Sequence, residues 1–414
     1  MKRILLCALV LLVAAGVLVV KLQNRGDEKT ETTAPQSETG QSVLSPENEI
    51  RAVWVNYNEL SMKAQNGGTK AQFTEKAKKI TTDIASAGLN TVIVHVRPFC
   101  DAFYPSELFP WTSYLTGTQG KAVDYDPLQI FIDCAKACNL SVQAWINPYR
   151  VLLSRDESKL AENNPARKFL DAGKSENLLL TETGIYLNPA SSEAQALIID
   201  GVREIVKNYD VDAVHMDDYF YPTTDPAVDS ASYAAYQKAG GKLSLSDWRR
   251  ENVSVFVSGL YAAIKAIKPE VQLVISPGGN IDHNYNNLYA DVARWAREPG
   301  FCDVLMPQLY YGFLNEKLPF EDTAREWASL VTAPNVELCF GLAFYKSGKA
   351  DQYAGSGKQE WIEHSDIIAR QVAFCRTLSP YNGFALYTYS SIFSGNLASQ
   401  PQKEWENLKP LLTK

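Results

Sequence analysis

Two adjacent carboxylates, Asp217 and Asp218, close the apolar run VDAVHMDDYFYP over residues 211–222. Burying one carboxylate is costly unless it is paired, hydrogen-bonded or left at a wet edge, and a second beside it raises the cost. A strand that ends this way is a place for acid–base chemistry. Tyr219, Phe220 and Tyr221 follow, a wall suited to a ring-shaped ligand. Cleaving a glycosidic bond needs one carboxylic acid to protonate the leaving oxygen and a second carboxylate as nucleophile or base. The same two residues could instead form a structural ion pair beneath loops, with Arg97 or Arg150 as partner.

Other tips carry compatible side chains. Asn147-Pro148-Tyr149-Arg150 brings an amide and a guanidinium, suited to hydroxyl or acetamido groups. Tyr310 and Tyr311 follow Gln308 and form an aromatic edge. Glu59 and Asp101 are further acids on the same face. The loop over 97–111 holds three prolines, and its Phe103, Tyr104 and Trp111 are expected to line a groove. Tyr221, Tyr233 and Tyr236 are expected to wall one side. His95, His215, Asp217 and Asp218 are metal-ligand types, but no HxH or HExxH spacing joins them, so no metal or cofactor is expected. No GxSxG elbow and no convincing Cys–His pair points to acyl transfer.

Something must hold these tips together. Apolar strand-like runs recur at 51–56, 91–98, 141–148, 211–218, 272–277, 303–308, 337–344 and 383–389. Helical patterns follow them at 74–87, 127–139, 193–208, 247–268, 288–297, 321–330, 362–377 and 402–412. Ser244 with Asp247 marks one helix start, Asp126-Pro127 another, and Gly88 and Asn139 mark ends. Eight strand–helix units predict a single α/β domain over 49–414, a (β/α)8 TIM barrel. A doubly wound sheet would want a glycine-rich turn after its first strand, where NYNEL stands.

Alternation along each strand predicts which side chains enter the barrel. The inward sets are Trp54 and Asn56, Ile93, His95 and Arg97, Trp145 and Asn147, Ala213, His215 and Asp217, Val274 and Ser276, Met306 and Gln308, and Tyr387 and Tyr389. The last members form a polar ring at the carboxyl ends, where barrel enzymes place their chemistry. The expected substrate-binding set is Asn56, Glu59, His95, Arg97, Asn147, Arg150, Tyr219, Tyr221, Gln308, Tyr310 and Tyr389, around catalytic Asp217, whose inward parity suits it as base or nucleophile, and Asp218, its partner or the acid.

The ends and the composition place the barrel. Lys2 and Arg3 precede an unbroken apolar run, 4–20, so 1–21 is expected to be a signal peptide or membrane anchor. Residues 22–48 are polar and Thr/Ser/Glu-rich, an expected disordered linker. The body is therefore expected outside the cytoplasm, touching membrane only through this segment. The 46% hydrophobic content supports a large core. A net charge of -7 argues against a nucleic-acid partner. Twenty-one tyrosines and eight tryptophans leave a surplus for loops, where they suit sugar rings. Seven cysteines show neither metal-type spacing nor a disulfide framework, and Cys134 and Cys138 read as small buried hydrophobes.

With these residues in view, EIRAVWVNYNEL, VRPFCDAFYPSELFPW, AWINPYRV, VHMDDYFYP, ISPGGN and MPQLYYGF resemble the bacterial family-10-like glycosyl hydrolases, secreted or lipoprotein barrels. The likeness runs from about residue 49 to 389 and touches six strand tips in order. It implies a (β/α)8 barrel that hydrolyses a bacterial glycan outside the cytoplasm, with peptidoglycan glycan strands foremost. It implies catalytic roles at Asp217 and Asp218, and a cleft lined by Arg97, Asn147 and Arg150. The clean lipobox of lipoprotein members is missing here. The fourth strand also echoes the chitinase pattern DxxDxDxE through Asp212 and Asp217, but His215 and Tyr219 replace its second Asp and its Glu, so substrate-assisted chemistry does not carry over. A glycan-binding barrel without catalysis, and a metal-dependent deacetylase or phosphodiesterase, are the alternatives.

Overall fold

The computed structural model describes residues 48–412; the expected leader and the linker up to residue 47 lie outside the described residues. The strands are β1 (Ile50–Val55), β2 (Thr91–Arg97), β3 (Ser141–Ile146), β4 (Arg150–Leu152), β5 (Leu178–Leu180), β6 (Ile185–Leu187), β7 (Ala213–Met216), β8 (Gln272–Ile275), β9 (Val304–Leu305), β10 (Glu337–Leu342) and β11 (Gly383–Leu386). Eight of them close a parallel barrel in the order β1-β11-β10-β9-β8-β7-β3-β2. β4, β6 and β5 form a small antiparallel sheet in the connection after β3. Its three-residue strands carry too little alternation to be read from sequence. Among the described residues no helix is long and apolar enough to cross a membrane.

Alternation sorts the side chains into two layers. Trp54, Ile93, Trp145, Ala213, Val274 and Met306 fill the barrel. Val92, Val94, Val142, Val214 and Met216 face the helices. Helices cover the outside at Lys70–Ser86, Pro127–Ala137, Ser192–Asn208, Leu245–Lys265, Val292–Arg297, Phe320–Leu330, Ile367–Cys375 and Ser399–Leu408. Asp126 caps Gln129 ahead of Pro127, and Ser244 caps Asp247, as the start signals predict. Gly88 and Asn139 both take positive φ at helix ends. Cys134 is buried and Cys138 half-buried, neither in a disulfide.

The barrel floor is aromatic and uncharged. The Trp54 indole donates to His215 Nε2 at 3.3 Å, so His215 Nδ1 carries the proton and donates to Gln143 Oε1 at 2.9 Å. Burial pushes the His215 pKa down to about 3. His95 stacks on Trp145 at 3.6 Å. Burial, then the Arg150 and His215 charges, push its pKa well below the usual imidazole value.

One joint closes the ring of strands at its upper end. The Glu59 carboxylate accepts from the backbone N–H groups of Asn56 and Ser390, each at 2.6 Å, and from the Thr388 hydroxyl at 3.1 Å. It therefore ties the loop after β1 to the loop after β11.

Candidate active site

Asp217 and Asp218 stand just beyond the end of β7, at the carboxyl mouth of the barrel. Asp217 is buried, and its Oδ2 accepts from Trp145 Nε1 at 3.0 Å. Its Oδ1 has no protein partner. Burial, and next the neighbouring Asp218 charge, push its pKa well above the usual carboxylate range. Asp218 is half-buried, and burial raises its pKa too. Against that act its own backbone N–H, the Gln308 amide, and the charges of Arg150 and His283. Two acids this close cannot both ionise cheaply. The environments divide the pair, with the proton favoured on Asp217 and the charge on Asp218.

Arg150 is the counter-charge. It opens β4, and pairing with Tyr186 of β6 holds it there. Its guanidinium lies 4.2 Å from the Tyr219 ring centroid and 5.1 Å from that of Phe99. It therefore covers the acidic pair from the side of the small sheet.

Aromatic rings form the opposite wall. Tyr310 lies 6.0 Å from Tyr387 and 5.7 Å from Tyr345. Lys346 Nζ donates to the Tyr310 carbonyl at 2.7 Å and to Asp351 at 2.6 Å. Gln371 holds the Tyr311 carbonyl at 2.8 Å, so this loop is braced from two sides. The ISPGGN turn after β8 packs beneath Gln308. A Cβ at Gly279 would stand 2.6 Å from the Gln308 carbonyl, so glycine is required there by close approach. Trp327 Nε1 pins the Gly279 carbonyl at 2.8 Å. Tyr57 completes the mouth, 5.3 Å from His95 and 5.8 Å from Phe99.

A proton-bearing acid, an ionised partner, a cation and a ring of flat apolar faces can bind a sugar and move a proton to or from a glycosidic oxygen. Among the described residues no three His, Cys, Asp or Glu side chains gather in a way that could hold a metal ion.

Residues 49–359 match the model of the family described as Glycosyl hydrolase-like 10. The chain belongs to this family. It is a glycoside hydrolase on a (β/α)8 barrel. Glycosyl hydrolase YngK of Bacillus subtilis (strain 168) is 35% identical over 354 residues, covering 81% of this chain and 67% of that protein. Glycosyl hydrolase DigH of Escherichia coli O6:H1 is 31% identical over 408 residues, 91% of each chain. Among solved structures, the PgaB (BpsB) glycoside hydrolase domain from Bordetella bronchiseptica superposes with a TM-score of 0.59 at 12% identity. It covers 87% of this chain and 99% of that one. The catalytic domain of β-amylase from Paenibacillus polymyxa gives a TM-score of 0.54 at 11% identity, over 89% and 99% of the two chains. These two share the barrel fold.

In this glycosyl hydrolase-like 10 barrel the mouth gathers Asp217, Asp218, Arg150, Tyr219, Gln308 and Tyr310, with His95 immediately below. Asn147 lies beside them, its amide donating to the Pro98 carbonyl at 3.1 Å. Five expected binding residues have other roles. A register shift between His95 and Arg97 breaks the alternation of β2, and Arg97 turns to the helix layer. Its guanidinium packs 4.6 Å from the Phe109 ring centroid, against Gly201 of the helix Ser192–Asn208, where a Cβ would strike it. Tyr221 is buried 5.3 Å from Tyr289, beside the Arg249–Asp229 ion pair. Tyr389 begins a helix once β11 has ended, and its hydroxyl donates to Asp83 at 2.6 Å. Asn56 is engaged in loop bonds, its Oδ1 accepting from the Asn58 N–H at 2.9 Å and its Nδ2 donating to the Thr388 hydroxyl at 3.5 Å. Glu59, the joint described above, is a brace.

Phe103 and Tyr104 are core residues rather than groove lining. Tyr233 and Tyr236 pack on Trp248. The expected set omitted Trp145, Tyr57, Phe99, Tyr345 and His283. Inward parity pointed to Trp145. Nothing in the sequence marks Tyr345, which depends on a single 3-10 turn after β10.

Proposed function

We propose that this enzyme hydrolyses the glycan strands of peptidoglycan outside the cytoplasm, with Asp217 as general acid and Asp218 as base or nucleophile. The observation that carries this reading is the unequal carboxylate pair under the aromatic ring. Asp217 has one oxygen tied to Trp145 and the other without a protein partner, and burial keeps its proton. That proton is available to the leaving glycosidic oxygen. Asp218, stabilised as an anion by Gln308, Arg150 and His283, attacks the sugar or activates a water. These roles reverse those that inward parity alone suggests for the pair.

The aromatic mouth supports a pyranose chain as ligand, and Arg150 supplies a cation for an acidic or acetamido substituent. The apolar run over 4–20 with Lys2 and Arg3 before it supports an extracytoplasmic site of action. The resemblance of six strand-tip motifs to secreted bacterial glycosyl hydrolases supports a wall glycan. The test is reducing-end release from peptide-stripped peptidoglycan strands by the parent protein and by Asp217→Asn. Release by the parent alone is the expected result. Retained binding with no release by either would instead indicate a glycan-binding barrel.

A further inference from the structure

A separate cavity of about 660 Å³ lies between Phe99 and the segment that follows Arg150. Its size falls within the roughly 300–1,000 Å³ range of pockets that bury small ligands. Phe99 is the residue it shares with the mouth of the barrel. Arg150, which faces the acidic pair, also faces Phe99, and Phe99 lines the cavity. The residues straight after Arg150, Val151 to Ser154, form the facing wall.

The wall and floor have the two chemistries a sugar needs. Phe99 and Tyr114 contribute ring surface, 6.2 Å apart and 5° from parallel, with Lys63 Nζ 3.6 Å over the Tyr114 ring, so the Phe99 ring is the apolar face offered to the C–H side of a pyranose. Opposite them Leu153 is 54% exposed, a large apolar side chain held open to solvent. The floor is polar. Asp101 is buried, accepts from Gln119 Nε2 at 3.2 Å, and has Oδ1 without a protein partner. Gln119 Oε1 accepts from Ala161 N–H at 3.0 Å and Asn164 Nδ2 at 3.1 Å, which pins the rim to the floor. The cavity is thus formed before any ligand arrives, and binding there loses little to ordering.

Resting on the glycosidase reading above, we propose that this cavity is a distal subsite that seats a further pyranose of the same glycan chain while the bond to be cut lies over Asp217 and Asp218. Binding energy gained at a remote unit is spent at the reacting centre, so truncated substrates lose rate as well as affinity. The enzyme should therefore favour chains long enough to reach Phe99 and Tyr114.

The test uses a size-fractionated series of peptide-stripped glycan oligosaccharides. For the parent, kcat/KM should rise about tenfold or more once the chain spans the cavity. Ser154→Trp fills the cavity from its rim, and Leu153→Asp spoils its apolar wall at an exposed position. Both should flatten the length dependence. Affinity of the series for the Asp217→Asn protein, measured by calorimetry, should show the same length dependence and lose it when either change is added. Equal length dependence in parent and both variants would overturn the subsite. If the parent cuts no member of the series, the glycosidase reading on this glycan fails. The binding arm then decides the subsite by itself: affinity that ignores both groove changes rejects it.

Discussion

Trp145 Nε1 donates to Asp217 Oδ2 at 3.0 Å, a bond from β3 to the residue just past its barrel neighbour β7, while Oδ1 has no hydrogen-bond partner. One oxygen is anchored and the other is free to give its proton. The strand pairing thereby aims the acid: Trp145 is in register with His215, two residues before Asp217. Asp217→Asn should lower kcat by about 10²–10⁴-fold, the usual contribution of a positioned acid or base. Asp218→Asn should do the same. Reducing-end assays check both, with melting curves to show that the fold persists.

The pH profile tests the division of roles. Activity needs Asp218 ionised and Asp217 protonated, which gives a bell whose limbs belong to the pair. Both carboxyl pKa values lie above the ordinary 3.8, and the Arg150 charge restrains both. Arg150→Gln should therefore move both limbs of the kcat/KM profile to higher pH. Limbs that stay in place would remove Arg150 from the site.

The same carboxyl lowers stability. Asp217 keeps its proton in the folded state at pH values where the unfolded chain has released it, so folding loses free energy as pH rises above 3.8. Asp217→Asn removes that cost. At neutral pH the variant should be more stable than the parent. The difference should fade as pH falls toward 3.8. Thermal unfolding across pH measures it.

Arg97 separates the structure from the strand-parity reading. Its guanidinium is buried against Phe109 and Gly201, outside the mouth. Arg97→Ala should cost about 2–4 kcal/mol of stability through lost packing. The kcat/KM of the folded fraction should stay within about twofold of the parent. A large rise in KM would place Arg97 back in the cleft.

The loop beyond Asp218 depends on a buried ion pair. Arg249 and Asp229 are both fully buried, with Arg249 Nε donating to Asp229 Oδ2 at 2.8 Å and Nη1 donating to Tyr289 at 3.0 Å. Asp229→Ala leaves that guanidinium unpaired and should cost about 3–5 kcal/mol. Adding Arg249→Met should recover much of it. Denaturant unfolding of the single and double variants gives the comparison.

The barrel was legible because its signals are local and repeated. Eight apolar runs, each followed by a helical pattern, leave few other arrangements, and period-two alternation sorted Trp54, Trp145, His215 and Asp217 correctly. It failed where a strand departs from regularity. One register shift turned Arg97 outward, and the end of β11 at Leu386 sent Tyr389 into a helix while Tyr387 took the inward place. Contacts between distant loops were illegible for a different reason. The approach of Phe99 to Arg150, or of Tyr345 to Tyr310, depends on tertiary packing that no spacing encodes.

The two imidazoles beneath the mouth bound the molecule from below. His215 ionises at about 3 and His95 well under its usual 6.5, whereas both take up protons near 6.5 once the chain unfolds. Their contribution is whole above 6.5 and drains away as acid is added, until each imidazole reaches its own folded-state pKa. Acidification therefore threatens the vessel as well as the reagent inside it. In an acidic surrounding, the tolerance of this enzyme would be set by the survival of its barrel even where the carboxylates remain poised to react.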